Sequence, residues 1–415
     1  MVVFQKCWGI QKYMSFILVI LLLLSLSVER VNAQEINKGE EFQAVWISYL
    51  EFSDRLKDPK TGMDGFTEKR FQLIVNDMFD NVVRMNMNAV VVHVRPFSDA
   101  VYPSKYFPWS KYISGAQGKN PGYDPLKYMV LAAHERGLEF HAWINPYRIT
   151  SNTTNINTLS KDNMARKWLT NKSTKDDRNV LAFDHSLYYN PSIPAVQEYI
   201  INGVREIVTN YEVDGIHFDD YFYPNLGSNY RKSFDYKEYE TYLRQAKENN
   251  IKTETIADWR RNNVNRLVKK VYSEIKEINR EVDFGISPKG SLDHLLRDDR
   301  YYTDIKTWLS KTGYIDYICP QLYWTFESKE YPYDKTLKRW LTLRTNPKVK
   351  VFVGLATYQV GTSTEKEWKD PNILKNMVEY ARATEKVDGF MHFRYDFFYK
   401  KATQKGVKKL LDILR

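Results

Sequence analysis

Cysteine is nearly absent from this chain. Its 415 residues hold two, Cys7 and Cys319, and seven histidines. So few soft ligands, in no clustered spacing, exclude a finger- or ribbon-type metal site, and no metal or other cofactor is expected. A disulfide framework is excluded too, so the core alone must stabilise the fold. Cys319 lies in an apolar run, where a buried, inert thiol is expected. Other signatures are also missing. There is no Gly-x-Ser-x-Gly elbow, no phosphate-cradling glycine loop, and no His-x-His pair near Val45-Trp-Ile-Ser48.

Long hydrophobic runs are scarce as well. One spans 16–28, behind Lys6 and Lys12 and ahead of Val31-Asn-Ala33. It is short for a membrane span, and small residues follow where a signal peptidase reads. A cleaved secretory leader, residues 1–33, is expected, with an uncleaved anchor as the alternative. Cys7 precedes the run, so it is no lipid-bearing cysteine. Residues 34–415 then form one domain, exported to the periplasm, cell envelope or exterior, with no membrane-spanning helix of its own. Lys6, Lys12, Arg30 and Glu29 leave with the leader, which takes the net charge from +10 to +8. That excess permits an anionic polymer as partner. No nucleic-acid partner is expected, and the protein should be a monomer.

Aromatic residues are plentiful: 30 Tyr, 21 Phe and 10 Trp, enough to stack on sugar faces as well as fill a core. Apolar runs at 42–49, 89–96, 139–148, 214–224, 282–288, 314–324, 349–358 and 387–396 read as strands. Segments of helical spacing separate them, at 66–85, 124–136, 194–211, 256–279, 298–311, 334–343 and 372–385, with a closing helix at 405–414. Runs such as Ala89-Val-Val-Val-His-Val-Arg-Pro96 suit parallel strands buried on both faces. Eight such units predict an α/β fold, a single (β/α)8 TIM barrel with enlarged loops after strands three and four. A doubly wound sheet would need a glycine-rich turn after strand one, and Ser48-Tyr-Leu-Glu51 has none. The insertion at 225–255 reads as a helical lid or rim.

Barrel chemistry sits at the C-terminal strand ends. Those ends carry Tyr49 and Glu51; Arg95 and Asp99; Asn145, Tyr147 and Arg148; Asp219, Asp220 and Tyr221; Ser287 and Lys289; Gln321, Tyr323 and Trp324; Tyr358 and Gln359; Arg394, Tyr395 and Asp396. Such a mouth suits a hydroxyl-rich ligand, a polysaccharide. In Asp214-Gly-Ile-His-Phe-Asp-Asp-Tyr-Phe-Tyr-Pro224, alternation puts His217, Asp219 and Tyr221 on one face and Asp220 on the other. Arg95 and Arg394 can pair with the acids, and Lys289 is read as an open-rim cation. His93, His141 and His392 read as satisfied core histidines.

Seven motifs in register resemble the bacterial glycosyl-hydrolase-like family ten. They are Ala44-Val-Trp-Ile47, Val94-Arg-Pro96 with Asp99-Ala100, Trp143-Ile-Asn-Pro-Tyr-Arg148, the 214–224 stretch, Gly285-Ile-Ser-Pro288, Pro320-Gln-Leu-Tyr-Trp324 and Gly389-Phe-Met-His-Phe-Arg394. The resemblance implies a (β/α)8 barrel, export and hydrolysis of peptidoglycan glycan strands, notably strands stripped of stem peptides. Family 18 chitinases carry a glutamate where Tyr221 stands, and the amylase-like strand-five glutamate has no counterpart near Ser287 or Lys289. Glycoside hydrolysis uses two carboxyl groups. Asp219 is the first choice, with Asp220, Asp99 or Asp396 as partner in that order. Rival readings are a non-catalytic glycan-binding barrel and a structural envelope protein.

Overall fold

The computed structural model describes residues 41–57 and 65–414, so the expected leader lies outside the described residues. These residues build a closed barrel of eight parallel strands: β1 (Phe42–Ile47), β2 (Ala89–Arg95), β3 (Glu139–Ile144), β4 (Gly215–Phe218), β5 (Asp283–Ile286), β6 (Tyr317–Ile318), β7 (Lys350–Leu355) and β8 (Gly389–His392). Each strand pairs with its neighbours in sequence, and β1 closes the ring against β8. The connecting helices are α1 (Glu68–Arg84), α2 (Pro125–His134), α3 (Pro194–Asn210), α4 (Ile256–Ile278), α5 (Ile305–Ser310), α6 (Tyr333–Leu343), α7 (Ile373–Arg382) and α8 (Gln404–Leu411). Their starts follow local chemistry. Asp124 caps α2 ahead of Pro125, and Thr67 and Thr255 cap α1 and α4, each accepting a backbone N–H of the first turn. No helix among the described residues is long and apolar enough to cross a membrane.

Several elements are shorter than the sequence pattern predicts. β4 stops at Phe218 because two carboxylates follow, and β6 is two residues long because Pro320 has no N–H for the ladder. The helix expected over 298–311 begins only at Ile305, because Asp299 is clamped by Arg297 and Arg300 in a loop and Asp304 then caps α5. A helix at Tyr49–Leu56 directly after β1 was not expected. It starts on a capping box in which Ser48 Oγ accepts from the Leu50 amide and Glu51 accepts from the Ser48 amide. The insertion after β3 holds a short helix (Met164–Thr170) and a hairpin (Val180–Phe183 with Ser186–Tyr189).

Two apolar layers result. Val90, Val92, Ile144, Ile216, Phe218 and Ile286 face the helices, while Ala44, Trp46, Ala89, Val91, Trp143, Tyr317 and Met391 fill the barrel. At the N-terminal end Phe42 and Phe352 stack at 4.3 Å and close the floor. Gly215 and Gly285 make room inside. A Cβ on Gly215 would lie 2.2 Å from the His141 ring, and one on Gly285 would lie 2.0 Å from the Tyr317 ring. Those clearances admit a file of polar side chains along the barrel axis.

Candidate active site

The C-terminal mouth holds a cavity of about 440 Å³ to which every strand end contributes. Asn145, Arg148, His217, Asp219, Asp220, Tyr221, Gln321, Tyr323 and Arg394 line it, as expected. Trp46, Tyr49, His93, Trp143, Lys289, Tyr358 and Phe393 line it too. Alternation along β1, β2, β3 and β8 carries the signal for four of these. Ala44, Val91, His141 and Met391 point inward, so Trp46, His93, Trp143 and Phe393 do as well.

Both aspartates open on the mouth. Regular alternation sends Asp220 outward, but it applies only while the strand lasts, and β4 ends at Phe218. The Asp219 amide still donates to the Ile144 carbonyl and the Ser287 amide to the Phe218 carbonyl. Beyond that point the backbone turns and brings Asp220 round. Asp219 and Asp220 are 8% and 5% exposed. Asp219 Oδ2 accepts from Trp143 Nε1 at 3.2 Å, and its Oδ1 from the Asp220 amide at 2.8 Å. Burial, reinforced by the neighbouring Asp220 charge, pushes the Asp219 carboxyl well above the usual range. Asp220 Oδ2 instead forms an ion pair with Lys289 Nζ at 2.9 Å. Lys289 is therefore the partner of a buried carboxylate and not an unpaired open-rim charge.

The remaining polar groups are braced. Arg394 is paired with buried Glu51 and lies 3.5 Å from Asp396, which also holds Arg55 at 3.0 Å. Asp396 thus braces a mouth residue and does not itself line the cavity. Arg148 lies over the rings of Tyr221 (4.7 Å) and Phe97 (5.3 Å) and bonds Ser151. Asn145 Oδ1 accepts from the Arg148 amide at 3.3 Å, and Gln321 Nε2 donates to the Ser287 carbonyl at 3.1 Å.

Besides Asp396, four expected residues sit elsewhere. Arg95 is buried against the Phe107 ring at 4.1 Å and close to Gly203 of α3, in the helix layer. The β2–β3 register shifts between His93 and Arg95, and this irregularity turns the guanidinium away from the mouth. Asp99 is buried with Ser110 and Gln117 as hydrogen-bond partners, and burial pushes its carboxyl up to about 6. Tyr147 is fully buried, its ring edge-on to Phe222 at 6.4 Å. Trp324 rests on Tyr331 at 4.8 Å as rim packing. No residue of the 225–255 insertion lines the cavity, so it is rim and not lid. Its helix (Tyr236–Glu248) is tethered to α4 by the fully buried Arg260–Asp235 pair.

Below the carboxylates runs a hydrogen-bonded file. Trp46 Nε1 lies 3.4 Å from His217 Nε2, and His217 Nδ1 lies 2.9 Å from Tyr317 Oη. Tyr317 Oη is 3.0 Å from His141 Nδ1, and His141 Nε2 is 3.2 Å from Glu139 Oε2. Trp46 can only donate, so a neutral His217 accepts at Nε2 and carries its proton on Nδ1, facing Tyr317 Oη. Burial holds the His217 imidazole well below its usual range, which keeps it neutral.

Residues 41–370 match the family described as Glycosyl hydrolase-like 10. The chain belongs to that family. It is 38% identical over 378 residues to the glycosyl hydrolase YngK of Bacillus subtilis (strain 168), covering 87% of this chain and 69% of that protein. It is 35% identical over 360 residues to the glycosyl hydrolase DigH of Escherichia coli (strain K12), covering 80% and 78%. Among solved structures it resembles the glycoside hydrolase domain of PgaB (BpsB) from Bordetella bronchiseptica. That likeness has a TM-score of 0.55 at 11% identity over 90% of this chain and 99% of the other, and it speaks for the fold alone. This Glycosyl hydrolase-like 10 member is thus a glycoside hydrolase by class, with Asp219 and Asp220 at the end of β4 where barrel enzymes carry their chemistry.

Proposed function

We propose that the protein is an exported hydrolase of cell-envelope glycan strands, with peptide-stripped peptidoglycan strands as substrate and Asp219 and Asp220 as its catalytic carboxyls. The observation that carries this reading is the unlike treatment of two adjacent acids in one aromatic-lined mouth. Asp219 is buried with no cation in contact and favours its protonated form; Asp220 is ion-paired with Lys289. Environments that separate two carboxyls in this way assign their roles. Asp219 gives its proton to the leaving glycosidic oxygen as the C–O bond breaks. The Asp220 carboxylate takes a proton from the water that attacks the anomeric carbon, or attacks that carbon itself before water releases the sugar. The anomer first formed distinguishes these routes.

The rings of Trp46, Trp143, Tyr323, Tyr358 and Phe393 offer apolar surface to sugar faces. Export is supported by the apolar run behind two lysines at the start of the sequence, and a glycan of the envelope is a substrate that such a protein meets. The test is mass analysis of products from intact and peptide-stripped sacculi, with wild type and Asp219→Asn. New reducing ends from the stripped strands, lost in folded Asp219→Asn, are expected. Binding without new ends would support a non-catalytic glycan-binding barrel instead. Undiminished cleavage by the variant would remove Asp219 from the mechanism.

A further inference from the structure

Three imidazoles point into the barrel, and two of them are fully partnered. His141 and His217 each have a hydrogen-bonding group at both ring nitrogens. His93 has none at either, although it is only 4% exposed and lines the mouth cavity. A buried donor and acceptor left unpaired are costly, and such groups in a native fold call for an explanation.

The surroundings of His93 supply one. Its ring stacks on the Trp143 indole with centroids 3.7 Å apart and planes 9° from parallel. The same indole donates to Asp219, so His93 stands one ring away from the acid. Tyr49 packs at 5.6 Å and holds the imidazole plane beside the cavity that His93 lines. The register shift after His93 turns Arg95 into the helix layer and makes His93 the last inward side chain of β2. Irregularities of this kind re-aim side chains beside active sites.

We infer that His93 is a sugar-binding residue, one of whose ring nitrogens takes a hydroxyl of the sugar unit adjoining Asp219. A neutral imidazole has one donor and one acceptor nitrogen, and a hydroxyl, which both donates and accepts, can serve either. Burial, helped by the nearby Arg148 charge, holds His93 well below its usual range and keeps that acceptor available. An anionic substituent would be held best by the imidazolium, which this setting disfavours.

This assignment rests on the hydrolase reading, and the experiment separates the two. The probe is purified peptide-free glycan strands, with cleavage followed as reducing ends on the full chain. His93→Phe keeps the stack and deletes both polar atoms, and kcat/KM should fall several-fold, up to about ten-fold, for the lost hydrogen bond. His93→Gln, which restores a donor and an acceptor, should recover most of the loss. Equal cleavage by wild type and folded His93→Phe overturns the assignment alone. A wild-type chain that releases no ends overturns the hydrolase reading and this assignment together. Should His93→Phe fail to fold, nitrogen NMR of histidine-labelled wild type decides. The His93 signal, identified by its absence in His93→Gln, must move when the strands are added; an unmoved signal overturns the assignment.

Discussion

Replacing Lys289 with methionine tests the division of labour between the two aspartates most directly. Methionine preserves much of the stem and deletes the ammonium 2.9 Å from Asp220 Oδ2. Two unit charges near 4 Å interact by about 1 kcal/mol in a water-like medium and about 4 kcal/mol in a typical protein medium. The Lys289 side chain is 38% exposed, which weighs toward the lower figure, while Asp220 at 5% is not free to find a replacement in water. An interaction of about 1–2 kcal/mol corresponds to roughly one pH unit.

The direction follows from the charges. Lys289 favours the ionised form of Asp219, so without it that carboxyl holds its proton to higher pH. The alkaline limb of kcat/KM, where the acid must keep its proton, should therefore rise by up to about one unit. Above the wild-type alkaline limb the variant should be as fast or faster. The assay is reducing-end release from peptide-free strands across the acid-to-neutral range, with a thermal melt to confirm folding. An unmoved alkaline limb in folded Lys289→Met would refute the argument. A loss independent of pH would place the ammonium on substrate instead.

Two further outcomes follow from buried charge. Asp219→Asn should raise the melting temperature by a few degrees at neutral pH even as it removes activity. In the folded chain Asp219 titrates above its unfolded value of 3.8, so between those values the native state binds more protons and wild-type stability falls as pH rises. The advantage should therefore vanish below pH 3.8 and grow above it; a variant less stable than wild type at neutral pH would contradict this. Arg260→Met should cost about 3–5 kcal/mol, read as a lower urea midpoint, because it strands the buried Asp235 carboxylate and frees the donors' partners at Tyr230 and Tyr302. Its kcat/KM at low temperature should stay near wild type, since no residue of the 225–255 insertion lines the mouth; a large loss would restore that insertion as a lid.

The barrel was legible because a strand buried on both faces leaves a plain mark, as in the unbroken Val90–Val94 run. The β4 acids were legible for the same reason, since two carboxylates end an apolar strand and barrel strands end at the chemistry. What failed depended on local geometry that no residue pattern encodes. Arg95 was assigned to the mouth by its place at a strand end and Asp220 to the outer face by alternation, and both depart from this, one at a register shift and the other where its strand stops. Asp99 and Tyr147 lie in the right loops yet pack beneath them. Lys289 looked free because its partner lies 69 positions away in sequence, on the neighbouring strand.

The histidines expose the deeper limit. A core imidazole in an apolar strand is ordinarily satisfied; that expectation holds for His141, holds at one nitrogen for His392, whose Nε2 meets Gln43 while its Nδ1 has no partner, and fails for His93. Nothing in Val92-His93-Val94 distinguishes it from Phe140-His141-Ala142. The difference lies in the opposite strands. Gly215 and Gly285 open the space that lets His141 and Tyr317 meet, and Tyr317 then satisfies two rings at once. A glycine facing inward at one level thus decides which imidazoles are structural, and the level above, filled by Trp143 and Tyr49, leaves the third imidazole for ligand. On this reasoning Gly285 belongs to the site although it touches no substrate. A methyl group there would press on the Tyr317 ring, break the file at its centre and release the Trp46 indole that forms part of the mouth.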